Sequence, residues 1–286
     1  MPLGLHSFHI PVMGTGFTID TPLRVAKFGI SSCISLGDDD LIEAVREAWC
    51  QKLGQPYSPI NKRRGDYRAQ RITAYLDFLQ DQVQAQFEHL KSQALETESD
   101  LDQYFELLPL GSVKHLYQEF RACADPTQKA VLRQLCLDSM QPGAIEANIM
   151  TKVNRDRFAK GQILPPEMGD ALAALRGVAK SKGHCGLVFS AGLNPRLYAY
   201  AAEWPAILPT KSGLLEKKII LKVSDFRSAQ IQGQFLAKKG LWVSEFRIES
   251  GINCGGHAFA KDGSLMGPVL ENFSQERQRL RNQLGE

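Results

Sequence analysis

Lys218-Ile-Ile-Leu-Lys-Val (218–223), then Phe226 to Lys239, then Leu241-Trp-Val-Ser-Glu-Phe-Arg-Ile (241–248) is the stretch that decides the fold. The first run reads as a strand and the second as a helix. The third alternates apolar and polar residues, as a strand does. Strand, helix, strand implies a parallel sheet with helices packed outside it. The same alternation holds upstream. Ala147-Asn-Ile-Met-Thr-Lys reads as a strand, and Pro165 to Lys180, rich in alanine and leucine, as a helix. Gly186-Leu-Val-Phe-Ser (186–190) reads as a strand ending at Ala191-Gly192, and Pro195 to Ala202 as a short helix.

The N-terminal part begins the same way. Phe8-His-Ile-Pro-Val-Met (8–13) is a short strand that stops at Gly14-Thr-Gly16. Thr21 stands as N-cap and Pro22 at the first position of a helix that ends at Gly29. Ile30 to Leu36 is the second strand. From about Asp38 to Met140 the texture changes to polar and helical, with almost no strand pattern. Asp39 to Leu53 is one helix. Asp66 to Gln93 is a longer one, with Ile72, Tyr75, Leu76, Leu79, Val83, Phe87 and Leu90 on one apolar stripe. Residues 101–108, 113–123 and 127–140 read as shorter helices. The block 38–142 is taken as a helical insertion, residues 1–37 as the start of a barrel, 143–267 as its continuation and 268–286 as a charged helical tail.

Composition narrows the function. The chain has 286 residues, a net charge of +3 and 43% hydrophobic residues, enough for a sizeable core. No basic run interleaves with aromatics, so nucleic-acid binding has no electrostatic support. Lys62-Arg63-Arg64, with Arg68 and Arg71, reads as a solvated loop and helix face. The six cysteines are scattered without a CxxC pair, as in a reduced protein rather than a disulfide scaffold or a metal site. The N-terminus lacks the pattern of a signal peptide, and no apolar run approaches a membrane span. The expectation is a soluble, cytoplasmic protein that binds neither membrane nor nucleic acid.

Arg247-Ile-Glu-Ser-Gly-Ile-Asn-Cys-Gly-Gly-His-Ala (247–258) carries the chemistry. A strand stops at two glycines followed by a histidine. Glycines let backbone approach a flat ligand, and a histidine there exchanges protons near neutral pH. Each candidate residue falls at the carboxyl end of a strand, where α/β barrels and open α/β sheets bind ligands.

These residues resemble a family. Pro11-Val-Met-Gly-Thr-Gly with Asp20-Thr-Pro, Asn148-Ile-Met, Phe189-Ser190-Ala-Gly, Lys218 to Lys222 and Gly255-Gly256-His257 are similar, in that order, to nitronate monooxygenases. That group of flavin mononucleotide (FMN)-dependent (β/α)8 barrels is related to flavin-dependent enoyl-acyl-carrier-protein reductases. The resemblance spans about 11–36 and 144–258. It implies an α/β fold of the (β/α)8 TIM-barrel type. It further implies FMN as cofactor and an oxidoreductase acting on a small carbon-acid or enoyl substrate. By the same resemblance His257 is the catalytic acid/base, while Met13, Gly14, Thr15, Asn148, Lys222, Gly255 and Gly256 hold the flavin. A lysine buried at 222 calls for function or for a salt bridge to Asp225 or Glu249.

The chain departs from the family in three ways. Ala258-Phe259 replaces the family's usual small or basic continuation. Ile252-Asn253-Cys254 lengthens the approach to the glycine pair. Moreover, about six strands are counted where a barrel has eight, with the helical insertion after the second. The barrel is therefore expected to be incomplete: the chain is a fragment of a longer ancestral enzyme, or a second polypeptide completes it, with a homo-oligomer as the other expected assembly. The competing expectation is a catalytically incomplete barrel serving as a partner-binding scaffold, or one half of a split flavoenzyme.

Overall fold

The computed structural model describes residues 5–149, 156–159, 161–189, 192–249 and 266–285. Its strands are β1 (His9–Ile10), β2 (Ser31–Ser35), β3 (Ile145–Ile149), β4 (Phe158–Ala159), β5 (Gln162–Ile163), β6 (Cys185–Phe189), β7 (Lys217–Val223) and β8 (Val243–Ile248). Six of them form one parallel sheet in the order β1-β2-β3-β6-β7-β8, so each strand lies beside its predecessor in the sheet. Right-handed crossovers in such an order put every connection on the same side, and the sheet curls round its other face. The result is a curled half-barrel of six parallel strands. The antiparallel pair β4–β5, between β3 and the next helix, had no expectation in the sequence.

The two faces of the sheet differ in chemistry. Ile34, Ala147, Leu187, Ile219 and Leu221 point outward into the main core beneath the helices. Cys33, Val188 and Ile220 form a small apolar cluster on the concave side, with Val12 against it. Register places Cys33 beside Glu146, Glu146 beside Gly186, and Ser35, Asn148 and Val188 in one row. The concave face therefore mixes a thin apolar strip with polar side chains.

The strand in 241–248 does not alternate uniformly. Ile219 pairs with Val243 but Ile220 pairs with Glu245, so Ser244 is an extra residue, a β-bulge. Its mark is visible in the chain: the apolar positions shift from 241 and 243 to 246 and 248. The bulge turns Phe246 and Ile248 to the core and Glu245 and Arg247 to the concave face.

The helices are α1 (Pro22–Val25), α2 (Asp39–Lys52), α3 (Tyr67–Lys91), α4 (Asp100–Glu106), α5 (Ser112–Ala122), α6 (Pro126–Asp138), α7 (Asp170–Lys180), α8 (Pro195–Ala201), α9 (Phe226–Ala237) and α10 (Met266–Gly285). Pro22 opens α1 as expected, but the Thr21 side chain makes no capping bond. A 3-10 turn, Ala26–Phe28, follows and ends at Gly29 with φ +78°, where a left-handed backbone favours glycine. The single helix expected over Pro165 to Lys180 is instead a 3-10 turn, Pro166–Met168, and then α7, separated by the extended Gly169.

Helix α3 ties the helical block to the sheet. Ile72, Tyr75, Leu76, Leu79 and Val83 of its stripe join the main core. Phe87 and Leu90, farther along, join a second core with Tyr104, Phe105, Tyr117 and Phe120. A close crossing makes the first possible. A Cβ on Gly177 of α7 would lie 2.6 Å from Ile72 Cγ2 and 3.0 Å from the Ala69 carbonyl. The C-terminal helix α10 is no loose tail. It buries Phe273 and Leu280 against the main core, with the Phe273 ring 5.5 Å from that of Phe226. Each such side chain contributes roughly 1.5–3 kcal/mol by leaving water. Among the described residues no helix is long and apolar enough to cross a membrane.

Candidate functional site

The carboxyl ends of the parallel strands share one rim, and several expected residues lie along it. Asn148 is the fourth residue of β3 and faces the concave side between Ser35 and Val188. It is 6% exposed, and its Oδ1 has no hydrogen-bond partner among the described residues. A buried amide oxygen without a donor costs about 1–3 kcal/mol. Lys222 lies on the same face near the end of β7. Its Nζ is 2.7 Å from Glu249 Oε1, just past β8. Of the two carboxylates expected for Lys222, Glu249 is the one it meets. Asp225 instead caps α9, accepting from the Ser228 N–H at 2.7 Å.

Met13, Gly14 and Thr15 follow β1 at the same rim. Gly14 has φ +82° and open space where a Cβ would sit, so this turn exposes its backbone. Met13 and Phe17 are exposed, Phe17 by 88%. The loop is nonetheless anchored beyond them: Tyr75 Oη donates to the Ile19 carbonyl at 2.7 Å, and Trp49 Nε1 donates to Asp20 at 3.3 Å. His257, Gly255, Gly256 and Cys254 lie outside the described residues. Glu249, the last described residue before them, stands at this rim.

Deeper on the concave face Arg247 of β8 reaches Glu146 of β3. Nη1 and Nη2 donate to the two carboxylate oxygens at 2.5 and 2.6 Å, and Nε donates to Glu245 at 2.5 Å. Two strands lie between these partners, roughly 14 Å across on a flat sheet. Curvature closes that gap, and Gly186 between them leaves the path clear. A Cβ there would lie 2.9 Å from both Glu146 Cγ and Ile220 Cδ1. Burial pulls the Arg247 pKa down, but the two carboxylates outweigh it and raise it above the usual arginine value. Burial, and then the Arg247 charge, keep the neighbouring His9 below the ordinary imidazole range. Burial also pushes the Cys33 thiol up, so it is no thiolate nucleophile.

No family model matches the chain, and no curated protein or solved structure does either. The functional reading therefore rests on this rim.

A buried ion network braces the rim from behind, contrary to the solvent exposure expected of its arginines. Arg68 and Arg71 do not lie on a solvated face. Both are buried. Arg68 donates to Asp170 at 2.7 Å and to the Gly37 carbonyl, just after β2, at 2.9 Å. Arg157, just before β4, also meets Asp170, at 2.6 Å. Arg71 joins Asp39 at 2.9 Å and the Ile60 carbonyl at 2.9 Å. Lys62 does remain exposed, paired with Asp40. Position was the available clue: Arg68 falls on the stripe that continues through Ile72, Tyr75 and Leu79. Glu146 and Arg247 went unassigned for a similar reason, since their partnership depends on curvature. Five cysteines, 33, 50, 123, 136 and 185, are free thiols.

Proposed function

We propose that this chain carries the flavin-binding rim of an FMN-dependent oxidoreductase of the nitronate monooxygenase type, built on a barrel of the (β/α)8 kind. Its substrate is a small carbon acid or an enoyl compound. The observation that carries the reading is the Oδ1 of Asn148, unpaired among the described residues and buried at the carboxyl end of a parallel sheet. In such folds that end is where ligands bind. An orphan acceptor there calls for a donor from a ligand. An amide both accepts and donates, which suits the mixed polar edge of an isoalloxazine ring.

The other residues take their roles around it. The open backbone at Met13, Gly14 and Thr15 would hold one ring edge. Lys222, steadied by Glu249, places a cation at the same rim, although the pair as a whole is neutral. Gly255 and Gly256 let the chain approach the ring closely. The flavin, when bound, supplies the electron transfer, and the protein orients it. His257, as a neutral imidazole, takes or returns the substrate proton. Free thiols at five cysteines are in keeping with a reducing, cytoplasmic setting.

Titration with FMN, followed by flavin absorbance, tests this. Saturable binding that Asn148→Leu weakens about tenfold, the worth of one buried hydrogen bond, supports it. A folded chain that stays colourless with FMN removes it.

One observation favours a second reading. Among the described residues nothing pairs with the far edge of β8. In barrels of this kind loops after the seventh and eighth strands commonly hold the phosphate. On that reading the chain is a catalytically incomplete scaffold, or one half of a split flavoenzyme. FMN binding that appears only with a partner present selects the split enzyme.

A further inference from the structure

β3 and β6, with neighbours on both sides, are buried along their whole length. Among the described residues β8 pairs with β7 alone, and each residue of β8 retains some exposure. A free strand edge of this length is a template for another strand unless something covers it. Beside it, between the outward side of β8 and α10, runs a groove of about 430 Å³. Trp242, Val243, Phe246 and Ile248 form one wall, and Leu270 and Leu284 stand on the other. Trp242 is 49% exposed and Leu270 47%, unusual for large apolar side chains so close to a core. Arg277 and Arg281, one helical turn apart, border the same groove. Neither has an ion-pair partner among the described residues.

We propose that an extended segment of a separate polypeptide adds to the edge of β8 that is unpaired among the described residues. Its alternate apolar side chains fill the groove under α10, and a carboxylate meets Arg277 and Arg281. Three features single out this occupant. A lipid or other hydrocarbon would fill the groove but leave the strand edge unpaired. An extended segment satisfies both. A second copy pairing through its own β8 would also satisfy the edge. However, the side of β8 facing the groove offers Trp242, Val243, Phe246 and Ile248, with no carboxylate among them, and both arginines would stay unanswered. The inference rests on the edge and the groove, not on flavin, so its failure and that of the proposed activity are separate results.

Photo-crosslinking in the cell of origin tests it. p-Benzoylphenylalanine replaces Trp242 in one variant and Leu270 in another. A third variant carries it at Phe158, away from the groove, as a control. Each purified variant is first checked for an unchanged thermal unfolding transition. After irradiation, adducts are identified by peptide mass spectrometry. The expected result is one peptide from a separate polypeptide, joined at 242 and 270 but not at 158. It should alternate apolar residues and contain at least one acidic residue. Combining either probe with Arg277→Glu and Arg281→Glu should cut the adduct about tenfold, the loss of a charge-assisted contact. Adducts to the same chain, adducts to a second copy of it, adducts to lipid, or no adduct at either position overturn the proposal.

Discussion

Arg247 and Glu146 form a two-point ion pair across the concave face, although β6 and β7 lie between their strands. The Glu146 side chain is buried and that of Arg247 is mostly so. The pair is a consequence of curvature, and it reports on that curvature: if the sheet flattens, the two groups part. Desolvation makes such a pair a poor source of net stability, but leaving one partner alone is costly.

Replacing Arg247 with methionine should therefore cost about 3–5 kcal/mol in urea unfolding, because Glu146 is left buried and charged. The double change Arg247→Met with Glu146→Leu should recover most of that loss. A single variant within about 1 kcal/mol of the parent would mean that water reaches the carboxylate.

Asn148→Leu should separate stability from binding. Removing an acceptor that has no donor should leave stability unchanged or raise it by about 1 kcal/mol. Flavin affinity should fall in the same variant. Equal losses in both would show that Asn148 serves the fold.

Gly186→Ala should destabilise by about 1–3 kcal/mol, since the new methyl meets Glu146 Cγ and Ile220 Cδ1 at 2.9 Å. The unfolding midpoint of this variant measures how tightly the concave face is packed beneath the ion pair. A neutral result would mean that both neighbours move aside freely.

Acid should weaken the brace near α2. Burial pushes the Glu43 pKa up. Arg46 at 2.8 Å, the Ile60 N–H at 2.7 Å and Tyr57 at 3.0 Å outweigh it and hold the pKa below its ordinary 4.5. A carboxylate depressed on folding contributes stability above its unfolded pKa and loses it as pH falls through the folded value. Denaturation followed from pH 7 downward should show stability falling below about pH 4.5. Glu43→Gln should flatten that acid limb and lower stability at neutral pH.

Phe273→Ala should cost about 3–5 kcal/mol by thermal or urea unfolding, the range for emptying a buried aromatic site. A loss below about 1 kcal/mol would mark α10 as a detachable tail after all.

Several features were legible in the chain, each for a local reason. The runs at 186–190 and 218–223 are apolar over a strand's length, and the stripe from Ile72 to Leu90 recurs at helical spacing. Asn148 and Lys222 fall at strand ends, and parallel strands bring such ends to one rim. The hairpin β4–β5 escaped notice because two-residue strands carry no periodicity. The charge of Arg68 and Arg71 suggests water, whereas Asp170, the partner that lets Arg68 be buried, lies 102 residues away in the chain. The bulge at Ser244 left a trace in the shifted apolar positions, but its effect on Glu245 and Arg247 depends on pairing with β7.

What the sequence determined alone is the order and kind of most elements, because periodicity follows from backbone geometry and from which side chains leave water. Tertiary structure decided which polar residues meet. Arg247 and Glu146 are 101 positions apart, and their contact depends on register, a bulge, a glycine and the curl of the sheet together. Those are properties of the assembled sheet, and no single strand carries them.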